Sequence, residues 1–270
     1  MPALHALLAA TRPTAERPLV VVTGAGISAA SGIPTFRGPQ GYWTVGATEY
    51  RPQELATAQA FAAMPREVWR WYLYRRAVCR AAEPNPAHHQ LVTWEKRLGP
   101  AFALITQNVD GLHTRAGNSA ERTYEVHGSV DLMRDLGTDQ RLTMDDDLLI
   151  HQRDQPLSDA ILTRLINPTT GNPCRPHVLW FDESYDEKNY RFDSAMERAS
   201  RASICVVCGT SGAASAPYLA VESAVDAGAV LIDVSPDGNP FRDLARRYER
   251  GTWLERTAVE GLAEIAHHLT

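Results

Sequence analysis

The chain has 270 residues, 44% of them hydrophobic and 22% charged, with a formal net charge of −5. That length can hold one large domain, or one core with a smaller module attached. The acidic balance and the lack of a basic run argue against nucleic acid and anionic membrane as partners, and no apolar run approaches the roughly 18 residues of a membrane span.

Met1 to Pro18 carries no basic segment ahead of a long apolar core. No secretory signal is therefore expected, and the protein reads as cytoplasmic. Leu4, Leu7 and Leu8 suggest a short amphipathic helix. A β-branched strand, Leu19–Thr23, then runs into Gly24-Ala25-Gly26-Ile27-Ser28-Ala29. This G-x-G-x-x-A pattern suits a dinucleotide cradle: Gly24 permits the turn, Gly26 lets the backbone approach a pyrophosphate, and Ala29 lets the next helix pack closely. An ordinary cradle continues into a second strand ending in an acidic residue about 20 positions on. Here Gly32-Ile33-Pro34 stops the helix, because Pro34 has no N–H and pushes Ile33 toward extended geometry. A loop with Phe36, Arg37 and Gly38 follows. The pattern predicts a dinucleotide held beneath an ordered loop, which suits chemistry on its ribose better than hydride transfer.

Residues 41–83 read as mostly helical, with apolar spacing at Val68, Trp71, Tyr72 and Val78. Further helices are expected over 87–98 and 214–227. Strands are expected over 102–106, 203–208 and 229–234, with 178–181 a shorter candidate. Residues 129–174 read as irregular, apart from an acidic turn at 145–147 and a short helix around 158–166. Strand, loop and helix in alternation predict an α/β fold: a Rossmann-like parallel sheet with helices on both faces, plus a smaller module formed by two insertions. The expected division assigns 1–40, 85–128 and 175–270 to the dinucleotide-binding domain, and 41–84 and 129–174 to the module. Four cysteines, Cys79, Cys174, Cys205 and Cys208, are not expected to form a disulfide framework, and Cys205 and Cys208, a C-x-x-C within a buried-strand pattern, are expected in the core.

Polar groups gather where strands should end. Thr106-Gln107-Asn108-Val109-Asp110 follows one strand; Asn and Asp also favour capped turns before helices, so this cluster alone leaves both readings open. His127 precedes Gly128. It is equally compatible with a structural role, but an imidazole pKa of about 6.5 suits a general base. Gly209-Thr210-Ser211-Gly212 closes another strand, where backbone N–H groups could form an anion nest.

Seven spaced pieces now stand in one order: Gly24 to Ser28, Ser31 to Pro34, Phe36-Arg37-Gly38, Thr106 to Asp110, His127-Gly128, Arg175-Pro176-His177-Val178-Leu179-Trp180-Phe181 with Glu183, and Gly209-Thr210-Ser211. In that order they resemble the sirtuins, NAD-dependent protein deacylases. The likeness covers Leu19 to Val234 and fades beyond. It implies NAD as cofactor, with Gly24, Ala25, Gly26 and Ser28 at its phosphates and Phe36 and Arg37 in the loop over the nicotinamide ribose. Gln107, Asn108 and Asp110 would shape the nicotinamide pocket, Asn108 and Asp110 counting with the catalytic residues. Gly209, Thr210, Ser211 and Ser235 would hold the rest of the cofactor. The acyl-lysine oxygen would attack C1′ of that ribose as nicotinamide leaves, and His127 would act as general base on a ribose hydroxyl. The acyl group would then pass to ADP-ribose. A weak oxygen nucleophile needs such positioning and charge stabilisation. Acylated-lysine peptides, the implied partners, would lie as an added strand along Val178, Trp180 and Phe181. A monomer is expected.

Glu54-Leu55-Ala56-Thr57 and the stretch from Val68 to Arg76 resemble the class III sirtuins, which remove succinyl, malonyl or glutaryl groups. Their Tyr-x-x-Arg marker falls on Tyr72 and Arg75, which share a helix face and could grip one carboxylate. Ala56 would leave room for the acid. An amphipathic helix with Tyr72 packed and Arg75 solvated is the plainer alternative. Sirtuins usually carry a structural zinc on two C-x-x-C pairs. Here Asp135 and Thr138 stand at the first pair, and Asn167 and Thr170 at the second, so no metal is expected. An apolar cluster of Leu148, Leu149, Ile150, Leu157, Ile161, Leu162 and Leu165 is expected in its place. Ser235 stands where many sirtuins have Asn, and Arg256 where a glycine is usual. Two other readings stay open: a mono-ADP-ribosyltransferase or NAD glycohydrolase, and a catalytically weak NAD or acyl-peptide binding module.

Overall fold

The structure is a computed structural model that describes residues 4–35 and 52–269. Its strands, in chain order, are β1 Leu19–Thr23, β2 Phe102–Thr106, β3 Thr123–Glu125, β4 Gly128–Asp135, β5 Arg141–Thr143, β6 Cys174–Val178, β7 Ile204–Cys208, β8 Val230–Val234 and β9 Gly251–Leu254. Six form a parallel sheet in the order β3-β2-β1-β7-β8-β9, and three form a second sheet, β5-β4-β6, that is antiparallel.

The large sheet is parallel because its strands are apolar on both faces and helices cover both. Leu19, Val21, Phe102, Leu104, Ile204 and Val206 pack with Leu91 and Trp94 of helix Pro86–Leu98 and with Leu262 and Ile265 of helix Ala258–Ala266. On the other face Val20, Val22, Ala103, Ile105, Cys205 and Val207 meet Ala220 and Ala224 of helix Ser215–Asp226 and Phe241 of helix Pro240–Arg247. From central β1 the order runs outward to β2 and β3 on one side and to β7, β8 and β9 on the other. The reversal point lies at β1, and the crevice beyond its carboxyl end is where such sheets bind ligands.

The second sheet corrects the sequence reading twice. Residues 129–174 are not merely irregular, since β4 and β5 lie there. The strand expected over 178–181 instead occupies Cys174–Val178. Pro176 argues against a strand by local propensity, but pairing with β4 (Asp135 with Cys174, Gly128 with Val178) overrides it. Helix Pro65–Ala81 packs on this sheet through Val68, Trp69, Tyr72 and Leu73. Trp69 Nε1 donates to the Cys174 carbonyl at 3.1 Å. Fully buried Arg76 pairs with Asp131 at 2.8 Å and donates to the carbonyls of Asp145 at 2.8 Å and Leu148 at 2.9 Å. This guanidinium ties the acidic turn to the helix.

Candidate active site

The parallel sheet delivers the predicted clusters to one end. Residues 24–28 follow β1, residues 107–110 follow β2, His127 follows β3, residues 209–211 follow β7, and Ser235 follows β8. The β1 turn is a 3-10 helix, Ala25–Ser31. Gly26 N–H donates to the Gly209 carbonyl at 2.7 Å. A Cβ on Gly26 would stand 2.7 Å from Gly209 Cα, and one on Gly209 would stand 2.4 Å from Ile27 N. Only paired glycines allow two loops to meet backbone to backbone, which leaves a cradle free of side chains and fits a pyrophosphate. Ala29 is exposed, so the close packing assigned to it falls to the glycines.

Ser28 organises the next layer. Asn108 Nδ2 donates to Ser28 Oγ at 3.1 Å, Ser28 Oγ donates to Asp110 Oδ2 at 2.7 Å, and Leu112 N–H donates to Asp110 Oδ1 at 2.9 Å. Burial pushes the Asp110 carboxyl up, while these donors and the charge of Arg75 pull it back. Gln107 Nε2 donates to the Thr23 carbonyl at 3.2 Å and to Thr210 Oγ1 at 3.0 Å, joining the β2 and β7 loops. Ser211 is exposed beside them. Phe36 and Arg37 lie outside the described residues.

His127 is half-buried, and its Nδ1 lies 3.0 Å from the Gln107 carbonyl. A carbonyl only accepts, so Nδ1 carries the hydrogen and Nε2 keeps its lone pair. Burial pulls the imidazole down to about 4, against the contrary effect of the Gln107 carbonyl. It is therefore neutral at neutral pH. The following Gly128 has φ +81°, and a Cβ there would stand 2.1 Å from the His177 carbonyl oxygen, so only glycine lets β4 leave His127 at this angle. Tyr185, which the sequence reading missed, meets His127 Nε2 with its hydroxyl at 3.0 Å. It sits in a polar loop without periodicity, so only its place in the fold marks it.

On the helix side, Tyr72 is 2% exposed and Arg75 5%. Tyr72 OH accepts from Trp180 Nε1 at 3.0 Å, and Arg75 lies 4.6 Å over the Trp71 ring. Burial raises the Tyr72 phenol to about 12, while the Arg75 charge opposes it. Ala56, Phe61, Tyr72 and Trp180 belong to one apolar cluster. The N–H groups of Leu179, Trp180 and Phe181 go to the His127 carbonyl at 3.0 Å, to Glu183 at 2.9 Å and to the Ala56 carbonyl at 3.0 Å. A peptide adding here would meet a stretch whose donors are already engaged. Phe181 itself is 64% exposed.

Ser235 is buried, and its hydroxyl donates to Asp233 at 2.6 Å and accepts from Asn239 at 2.8 Å. Burial raises the Asp233 carboxyl to about 6, against the effect of these two neighbours. Thr257 caps helix Ala258–Ala266 together with Glu260.

Asp135, Thr138, Asn167 and Thr170, where the resemblance would place zinc ligands, form a hydrogen-bonded hub. Asp135 is 1% exposed. Its Oδ1 accepts from Gly137 N at 2.7 Å, Thr138 N at 2.8 Å and Asn172 Nδ2 at 3.0 Å; its Oδ2 accepts from Asn167 Nδ2 at 2.7 Å and Thr170 Oγ1 at 2.5 Å. Burial raises this carboxyl, but the donors, Thr170 foremost, hold it well below the usual carboxylate range. Five donors on one carboxylate leave nothing to offer a zinc ion, and amide and hydroxyl oxygens are poor ligands for it. These residues do not fit that metal. Of the expected apolar cluster, Leu148, Ile150 and Leu165 are buried, Leu157, Ile161 and Leu162 pack against them half-buried, and Leu149 stands outside.

A side-chain-free cradle at the reversal point of a parallel sheet is the arrangement by which α/β folds bind dinucleotides. A Sir2 family model matches residues 24–216. An NAD-dependent protein deacylase of Leptospira interrogans is 39% identical over 220 residues, 82% of each chain. One from Thermus thermophilus is 37% identical over 252 residues, 91% of this chain and 87% of that one. A solved complex of a Sir2 homologue with NAD superposes with TM-score 0.74 at 33% identity, over 98% of this chain and 92% of that one. A Sir2 complex with a p53 peptide and NAD gives TM-score 0.73 at 27% identity, over 97% and 95%. The chain belongs to the Sir2 family.

Proposed function

We propose that this chain is an NAD-dependent protein-lysine deacylase that prefers short dicarboxylic acyl groups such as succinyl, malonyl or glutaryl. The names of its relatives and the NAD-bound and peptide-bound neighbours support the deacylase activity and the cofactor. Bound NAD supplies an electrophilic ribose carbon and a leaving group. The chain's own residues do the rest: Ser28, Asn108 and Asp110 form a fixed polar wall, and His127 offers a neutral Nε2 to take a hydroxyl proton.

One observation carries the acyl preference. Arg75 is a nearly buried guanidinium, one helical turn from the Tyr72 phenol on the same helix. Its charge bears on both the Tyr72 phenol and the Asp110 carboxyl, lowering each against the effect of burial. A carboxylate entering there would meet a cation and a phenol with little water to compete. The test is mass spectrometry of acetyl-, malonyl-, succinyl- and glutaryl-lysine peptides with and without NAD. Dicarboxylic substrates turning over fastest, only with NAD, is the expected outcome. Acetyl preference would overturn the specificity, and product without NAD would overturn the activity.

We also propose that the second sheet is held without zinc, by the Asp135 hub. Metal analysis of purified protein should find no stoichiometric zinc, and chelator should leave the melting temperature unchanged. Asp135→Ala should melt clearly lower, and acidification below about pH 4, where a free carboxylate protonates, should begin to weaken the same contacts. The sign follows from the lowered carboxyl: its contribution is complete above the unfolded value and is lost as pH falls through the folded one. One tightly held zinc per chain would refute the proposal.

A further inference from the structure

Tyr185 lies in the loop between β6 and helix Glu187–Tyr190, and nothing so far gives it a task. Its ring stacks on Phe192, centroids 4.3 Å apart at 17°, and lies nearly parallel to the His127 ring, 5.8 Å away at 23°. Its hydroxyl is 3.0 Å from His127 Nε2. The Ser215 hydroxyl and Ala216 N–H, where helix Ser215–Asp226 begins, bear on the same phenol and oppose the raising effect of burial.

The backbone is bent to make this possible. Arg191 has φ +51°, a left-handed conformation unusual for a residue with a side chain, between helices Glu187–Tyr190 and Phe192–Ala199. Its guanidinium is fixed by the carbonyls of Ala120 at 2.7 Å and Glu121 at 2.9 Å, and it lies 4.3 Å over the Tyr124 ring. That turn starts the helix whose first residue, Phe192, supports Tyr185.

The directions of the hydrogen bonds then settle the imidazole. Nδ1–H donates to the Gln107 carbonyl, so Nε2 can only accept, and the phenol O–H must donate to it. We infer that Tyr185 is a positioning residue for His127: in the ligand-free chain its O–H takes the place of the substrate hydroxyl on Nε2 and keeps the imidazole neutral, oriented and ready to accept. This rests on His127 being the base of the deacylation reaction. Among the described residues, two groups hydrogen-bond to this imidazole, the Gln107 carbonyl from the β2 loop and the Tyr185 phenol from the β6 loop. Of the nearby carboxyls, Glu125 on its own chain segment is raised to about 7 by burial, with Asp110 and Asp131 adding to the effect. No charged side chain among the described residues contributes to the shift of His127.

A bond donated to the neutral imidazole holds its pKa down, so Tyr185→Phe should raise it. The loss of one such bond corresponds to about half a unit to one unit. Phe keeps the stacking on Phe192, so the variant should fold, and its melting temperature is checked. The experiment is an NMR titration of the His127 ring in ligand-free wild type and Tyr185→Phe, its signal assigned with His127→Gln, over the pH range where circular dichroism shows folded protein. The pH profile of kcat/KM, which reports groups of the free enzyme, is measured alongside. An upward shift of that size, with the acidic limb of kcat/KM moving by the same amount, is expected. An unmoved His127 titration in a folded variant would overturn the inference. A shifted titration in a protein with no deacylase activity would leave the contact standing and remove the deacylation reading instead.

Discussion

His127→Ala should lower kcat/KM for the preferred acyl peptide by about a hundredfold to ten-thousandfold, the usual worth of a positioned general base. The folded protein should be retained, because the ring is half-buried and outside the three apolar clusters. The reasoning starts from the Gln107 carbonyl. By accepting from Nδ1 it leaves Nε2 as the accepting lone pair, which the Tyr185 hydroxyl meets until substrate replaces it, and burial keeps that lone pair unprotonated down to about pH 4. Activity should therefore hold on mild acidification and fall only as the pH approaches that value, since a protonated Nε2 cannot accept. NAD and peptide affinity, measured calorimetrically, should change little. Activity within tenfold of wild type would show that the proton is taken elsewhere.

Tyr72→Phe with Arg75→Met should cut desuccinylation by about tenfold to a hundredfold, the loss expected from a charge-assisted hydrogen bond, while deacetylation persists. The double variant alone is ambiguous. Arg75 also helps restrain the Asp110 carboxyl, so its removal lets burial push that group higher. Tyr72→Phe by itself leaves Asp110 alone and removes only the hydroxyl, although Trp180 Nε1 then loses its acceptor. Melting curves separate that structural cost from specificity. Equal loss of both activities, in both variants, would assign the pair to packing.

Much of this was legible from the residues. The strand running into a tight turn at Gly24 and Gly26 was legible, because consecutive valines followed by glycines leave few alternatives; its place inside the sheet was not. The strands over 203–208 and 229–234 each begin one residue later, at Ile204–Cys208 and Val230–Val234, with their ends where expected. What stayed hidden depends on partners distant in sequence. β3 and β9 are edge strands of three and four residues that exist only by pairing with β2 and β8. β6 carries a proline and forms because β4 meets it. Asp135, Asn167 and Thr170 read as missing ligands, and only the fold turns them into one another's partners. Tyr185 and Arg191 leave no local signal.

The sulfur of this chain has a consequence for endurance. All four cysteines are buried, and burial foremost raises every thiol: Cys174 to about 11, Cys79 and Cys205 to about 12, and Cys208 further still. Peroxides and electrophiles attack thiolates, and at neutral pH this protein offers almost none. Where a cluster of metal-bound thiolates would be open to oxidation and release, the Asp135 hub presents only carboxylate, amide and hydroxyl oxygen and nitrogen. Oxidative stress and metal starvation should therefore leave the folded chain intact, and peroxide treatment should cost activity only as fast as half-buried side chains such as Met64, Met196, Trp71 and Trp253 react.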